Sequence, residues 1–153
     1  MNDNVITYEQ LGELLERATR DLNSCNRPIA DTALAVLITL ASGFLPDTVL
    51  GILNGDVDFE QGVITMHDSD TGLDHSWFFG GSELMERELS WRVGVADDPL
   101  FICSRGMLDL YVNYCLDLEE FVPAEVLWHM HNDLVEQHNR DNEMPDAEIS
   151  QTT

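Results

Sequence analysis

The sequence predicts an α+β fold, a mainly helical single domain with a small three-stranded antiparallel sheet. Three observations predict it. Apolar residues recur at helical spacing up to residue 53, they alternate as in strands between residues 57 and 79, and helical spacing returns from residue 82. A chain of 153 residues, 44% of them apolar, fits one hydrophobic core.

The elements follow in order. Thr7-Tyr8-Glu9-Gln10 is a capping box, with Thr at the N-cap and Gln three residues on. It opens a helix carrying Tyr8, Leu11, Leu15, Ala18 and Leu22 on one face. Pro28 suits the first turn of a second helix. From Ile29 to Ala41 that helix is apolar nearly all round, which makes it the central buried one. Gly43 ends it. Pro46-Asp47 starts a short third helix through Leu53, and Asn54-Gly55 is a turn. Val57-Asp58-Phe59 and Gly62 to Met66 alternate as strands, His75 to Phe79 reads as a third, and Asp68 to Asp74 is a polar hairpin loop between them. Ser82 caps a helix through Trp91. Leu100-Phe101-Ile102 is a short extended piece, Met107 to Leu116 a helix, and Pro123 opens a last helix through His138. The domain is thus residues 1–138, and residues 139–153 form an acidic, flexible C-terminal tail.

Charge narrows the function classes. The chain holds 29 acidic residues against seven arginines and no lysine, a net charge of −22. Lysine is normally the default solubilising cation. Its replacement by carboxylates describes a surface adapted to molar salt, where self-repulsion is screened within about 3 Å at 1 M. The same charge would also suit a DNA-mimicking inhibitor, although here the acids are interspersed rather than laid out in long runs. The longest apolar run, Ala33 to Leu40, falls short of the roughly 18–20 residues of a membrane span. Met1-Asn2-Asp3-Asn4 lacks the positive charge of a secretory signal. Cys25, Cys103 and Cys115 are an odd number without CxxC spacing and read as buried free thiols. These features predict a cytoplasmic protein.

The chemical motifs are sparse. His129-Met130-His131, with Asp133 and His138 nearby, has the composition of a metal site. Residues two apart on a helix face different ways, however, so these read as surface histidines. Gly80-Gly81-Ser82 lacks the spacing and the lysine of a phosphate loop. Ser104-Arg105-Gly106 reads as a turn into a helix. Trp77, Phe78 and Phe79 are consecutive, so at least one points outward, as a lone surface aromatic or as part of a partner site. The residues indicate no cofactor, metal or small-molecule substrate.

The junctions carry a resemblance. Thr32 to Leu40, then Gly43 to Ile52, then Asn54 to Met66 follow the order buried helix, turn and helix, lead-in and strand. Asp97-Asp98-Pro99-Leu100-Phe101 precedes the next helix, and Pro123 through Gln137 keeps one unbroken apolar spacing. This order resembles the catalytic core of the tyrosine recombinase (phage-integrase-like) family over residues 5–140. That family reads Gly-Leu-Arg-x-Ser-Glu-Leu at the turn and His-x-x-Arg-His on the late helix. The resemblance implies a tyrosine nucleophile, two arginines that neutralise the phosphorane, a histidine and a lysine that manage protons, and a supporting His or Trp. Carried over, the first arginine falls on Leu45, the His-x-x-Arg pair on Ala124 and Leu127, and the His/Trp position on Trp128. There is no lysine, and no tyrosine follows Tyr114.

The resemblance therefore implies a catalytically inactive module that binds a protein partner, an active recombinase or another copy of itself, in a high-salt cytoplasm. The candidate binding residues are Leu45, Leu127, Trp128 and Trp77. The alternative is a DNA-binding accessory protein that does not cut. Arg87, Arg92 and Arg105 would then be its phosphate contacts, and its DNA binding would be weak.

The acidic, lysine-free composition predicts loss of structure as screening is withdrawn. Circular dichroism across a KCl series should show a melting temperature that climbs with salt. A flat one would argue against salt adaptation and favour DNA mimicry.

Overall fold

The protein is described here from a computed structural model, which covers residues 7–68, 70–117, 120–132 and 135–136. The tail assigned to residues 139–153 lies outside the described residues, as do His138 and Asp133. Helix α1 spans Tyr8–Asp21, α2 Arg27–Ser42 and α3 Pro46–Leu50. A 3-10 turn at Asn54–Asp56 leads into β1 (Val57–Asp58), β2 (Val63–Asp68) and β3 (Leu73–Phe78). Helices α4 (Glu83–Arg92) and α5 (Arg105–Leu116) follow, then α6 over residues 126–132. The strands form one antiparallel sheet in the order β1-β2-β3. This is the predicted mixed α+β architecture, mainly helical in a single domain. No helix among the described residues is long and apolar enough to cross a membrane.

Local chemistry accounts for the helix boundaries. Thr7 Oγ1 accepts from Gln10 N at 3.1 Å while Gln10 Oε1 accepts from Thr7 N at 2.9 Å, so two otherwise orphaned donors are satisfied at once. Asn26 caps α2, Pro28 sits in its first turn, and Gly43 closes it at φ 77°, a conformation that side chains with a Cβ resist. Every residue of α2 from Ala30 to Leu40 is buried, so this helix is the axis of the core. Helix α1 lays Leu11, Leu14, Ala18 and Leu22 against the core, and α5 contributes Leu108, Val112 and Leu116.

Boundaries differ from expectation at α3 and β3, and also at α5, which starts at Arg105 rather than Met107, and at α6, which starts at residue 126 rather than Pro123. Helix α3 stops at Leu50 instead of Leu53, because the next residues pair with a distant segment. Ile52 O accepts from Leu100 N at 3.0 Å, Asn54 N donates to Asp98 O at 2.9 Å, and Gly55 N donates to Ala96 O at 2.9 Å. β3 begins at Leu73 rather than His75. A tight turn allows it: Gly72, at φ 73°, donates to Asp68 O at 2.8 Å, and the Asp68 side chain accepts from Asp70 N at 2.9 Å. The register then runs Ile64↔Trp77, Met66↔His75 and Asp68↔Leu73.

Ile64 and Met66 face the core, with Trp77 half-buried beside them. Phe79 is buried and Phe78, on the opposite face, is 65% exposed, so Phe78 is the surface aromatic of the trio. On that outer face His67 bridges Asp56 at 3.0 Å and Asp74 at 2.7 Å, tying the hairpin to the 3-10 turn. These bonds, the one to Asp56 foremost, raise the His67 pKa.

A buried ionic network joins α2 to α4. The Asp31 carboxylate, wholly buried, accepts from Arg27 Nε at 2.9 Å, Arg92 Nε at 2.6 Å and Ile102 N at 2.7 Å. Arg92 also reaches Glu88 at 3.0 Å and lies 4.1 Å from the Trp91 ring, with Arg27 at 5.0 Å from the same ring. The cysteine expectation needs one correction. Cys115 is buried and Cys103 half-buried, but Cys25 is exposed because it lies in the polar turn between α1 and α2. Burial first, with Asp31 adding to it, pushes the Cys103 thiol up to about 11, which keeps it protonated and unreactive at neutral pH.

Candidate functional site

The four positions carried over from the resemblance lie at one end of the core, where α3, α5 and α6 meet. Ser104 caps α5 by accepting from Met107 N at 3.2 Å, and this starts the helix at Arg105. The Arg105 guanidinium then bonds Asp109 at 3.0 Å on its own helix, Asp47 at 3.1 Å on α3, and Glu125 just before α6. Asp109 also accepts from Ala124 N at 2.7 Å. Asn113 accepts from Val122 N at 2.8 Å and donates to its carbonyl, so the chain leading into α6 is clasped to α5.

The other end of α6 meets the end of α2. His131 Nδ1 lies 2.6 Å from Leu40 O, one of the carbonyls that a helix terminus leaves unpaired. A Cβ on Gly43 would fall 2.5 Å from the His131 ring, so this glycine is required by close approach as well as by its positive φ. Gly43 and Asp47 flank Leu45 and are both tied to the 125–131 stretch. Leu45 therefore lies on the same side of the molecule as Ala124, Leu127 and Trp128.

Their fates differ. Ala124 and Leu127 are fully buried and belong to the core, whereas Leu45 is 36% and Trp128 37% exposed. Ala124 and Leu127 are thus packed into the core, while Leu45 and Trp128 are each left partly open to solvent. Trp77, the other aromatic candidate, sits on β3 against the core and is not part of this group.

The electrostatics run against anion binding. Burial opposes the Arg105 charge, but the bonds to Glu125, Asp109 and Asp47 outweigh it and raise its pKa. The same contact with Arg105 holds the Glu125 carboxyl below its ordinary value. Three carboxylates around one guanidinium leave it no net positive field for a phosphate.

The three arginines singled out as DNA contacts separate. Arg92 is not a surface group at all, being locked between Asp31 and Glu88 inside the molecule. Arg105 is taken up by its three carboxylates. Arg87 remains exposed, on the far side of α4's own Glu88, to which it bonds at 3.1 Å. Burial alone would push the Glu88 carboxyl up, yet bonds from Arg92, Trp91 and Arg87 bring it below its usual value. As for the histidines, His129 is exposed and His131 is engaged with Leu40. No three His, Cys, Asp or Glu among the described residues are grouped to hold a metal.

Sequence reasoning missed two features here. Arg105, read as part of a turn and as a phosphate contact, is the hub of the α3–α5–α6 junction. On α5, Met107, Leu110, Tyr111 and Tyr114 form an outer apolar stripe beside the inner one of Leu108, Val112 and Leu116. The signal for the second was present, since a helix apolar on two faces needs a second partner. No family model matches the chain, and no curated protein matches it.

The split between packed and open positions is measurable. Leu127→Ala should lower stability by about 2–5 kcal/mol, since it opens a cavity in packed core. Trp128→Ala should cost clearly less, because it leaves no enclosed void. Thermal unfolding in molar KCl compares the two. Equal losses would mean that Trp128 is also core, and no loss for Leu127→Ala would mean that the inner region is open.

Proposed function

We propose that the protein is a non-catalytic binding module, a recombinase-core-like scaffold that docks on a protein partner in a high-salt cytoplasm. The partner is an active recombinase or another copy of the chain. One observation supports this reading above the others. The side chains at the carried-over phosphate positions are Leu45, Ala124, Leu127 and Trp128, and the guanidinium beside them is surrounded by Asp47, Asp109 and Glu125. Phosphoryl transfer needs cations aimed at the equatorial oxygens, and losing even one hydrogen-bond donor to developing charge costs roughly 10²–10³ in rate. A half-open apolar rim of Leu45 and Trp128 is instead suited to a protein surface.

The DNA-accessory reading draws less support. It needs Lys or Arg free to displace counterions, each contact adding to affinity and salt dependence. Of its three candidates, two are held by carboxylates within the fold and Arg87 is paired at the surface.

Two measurements test the proposal. A suicide-substrate assay with duplex DNA in molar KCl should trap no covalent adduct, and an adduct would overturn it. A pull-down from native high-salt lysate should enrich a recombinase or DNA-processing protein, with recovery falling for the Leu45→Ser/Trp128→Ser double variant. Co-purifying DNA without such a protein would transfer support to the accessory reading.

A further inference from the structure

The outer face of α5 is built unlike the rest of this acidic chain. Met107, Leu110, Tyr111 and Tyr114 recur at i, i+3, i+4 and i+7, and with Ile29 and Thr32 of α2 they line a groove of about 270 Å³. Leu110 is 66% and Tyr114 70% exposed. Two of the polar groups at the groove, those of Thr32 and Tyr111, are bonded within the fold. Thr32 Oγ1 donates to Pro28 O at 2.7 Å, and Tyr111 OH donates to Asp21 at 2.7 Å. What faces solvent there is largely hydrocarbon. Among the described residues no carboxylate lines the groove, although 29 of 153 residues in the chain are acidic. Contiguous exposed apolar side chains that include Tyr and Met are the composition of an interface centre.

At Tyr114 the groove runs into a second depression of about 490 Å³, lined by Glu13, Glu16, Arg17, Arg20 and Asp117. Here two of the seven arginines sit among three acids, and Arg17 lies 4.7 Å over the Tyr114 ring. The surface is therefore an uncharged apolar stripe continuous with a rim of both signs.

We infer that this α2–α5 face is where a second copy of the chain docks, about a two-fold axis near Leu110. A two-fold contact brings the same patch together from both sides, so each feature must suit itself. The apolar stripe meets that condition by burying hydrocarbon against hydrocarbon. The mixed rim meets it as well, since the arginines of one copy can face the glutamates of the other. A partner of a single charge sign would leave half of the rim opposed by like charge. The force against association is the repulsion between two chains of net charge −22. Its range shrinks from about 30 Å at 0.01 M salt to about 3 Å at 1 M, so association strengthens as salt is raised. The inference uses none of Leu45, Ala124, Leu127 and Trp128, and either reading can fail without the other.

Sedimentation velocity on the full chain across a protein concentration series in molar KCl tests it. The mass should rise from one chain to two, and the dimer should weaken as KCl is lowered within the range where the fold persists. Leu110→Glu, at an exposed position, should weaken the dimer at least about tenfold with unchanged circular dichroism. Tyr114→Ser offers a second variant should the first disturb the fold, and Phe78→Ser on the sheet should leave the dimer intact. A wild-type chain that stays monomeric throughout would overturn the inference, the face then being covered by a different protein or by residues 137–153 of its own chain. A dimer indifferent to both α5 variants would overturn it equally.

Discussion

The carboxylate of Asp31 is the constraint on which the arrangement of this molecule depends. It sits inside the most buried helix with no solvent exposure, where an uncompensated ion would cost several kcal/mol. Three donors from three parts of the chain compensate it: Arg27 on the same helix, Arg92 at the end of α4, and the Ile102 amide. Removing any one leaves a buried charge short of partners, so α4 and the 100–102 segment have one place to go. That placement positions Leu100 and Phe101 in the core and sets the chain direction into Ser104, the cap of α5. The junction organised by Arg105 follows from it.

The same constraint bears on function. Cations are scarce in a chain with seven arginines and 29 acids, and the described ones are mostly drawn into internal contacts. Arg92 closes the Asp31 network, Arg27 bonds Asp31 and lies beside Trp91, Arg105 joins three elements, and Arg17 covers Tyr114. In the proposed reading, the exposed hydrocarbon at Leu45, at Trp128 and along α5 carries recognition, with Arg17 and Arg20 at the edge of the α5 stripe. A protein built this way would meet a partner by shape and apolar burial more readily than by gripping a polyanion.

Much of the fold was legible because its signals are local. The Thr7/Gln10 box, Gly43 after an apolar run, Pro46 at a helix start and alternation through β2 each act within a few residues. Two of the misreadings, at the end of α3 and at Arg92, share a cause, which is long-range pairing. The end of α3 is decided by residues 96–100, and Arg92 reads as a free phosphate contact because its partner lies 61 positions earlier. The clue was at the other end of that pair. Asp31 is the only charge between Ile29 and Ala41, and a lone carboxylate in a buried helix requires a distant cation. The division of Leu45, Ala124, Leu127 and Trp128 into buried and half-exposed positions was not legible in the sequence. That division depends on how closely α6 approaches α2, which Gly43 and His131 determine.

Amide hydrogen exchange at Ile102 tests the Asp31 account most directly. Ile102 is 54% exposed and lies in a segment without regular secondary structure, so only its 2.7 Å bond to the Asp31 carboxylate would slow its exchange. The account predicts exchange as slow as for the amides of Leu34 to Ile38, through global unfolding alone. Exchange as fast as in the loop around Val95 to Asp97 would mean that the carboxylate does not hold this segment, and would contradict it.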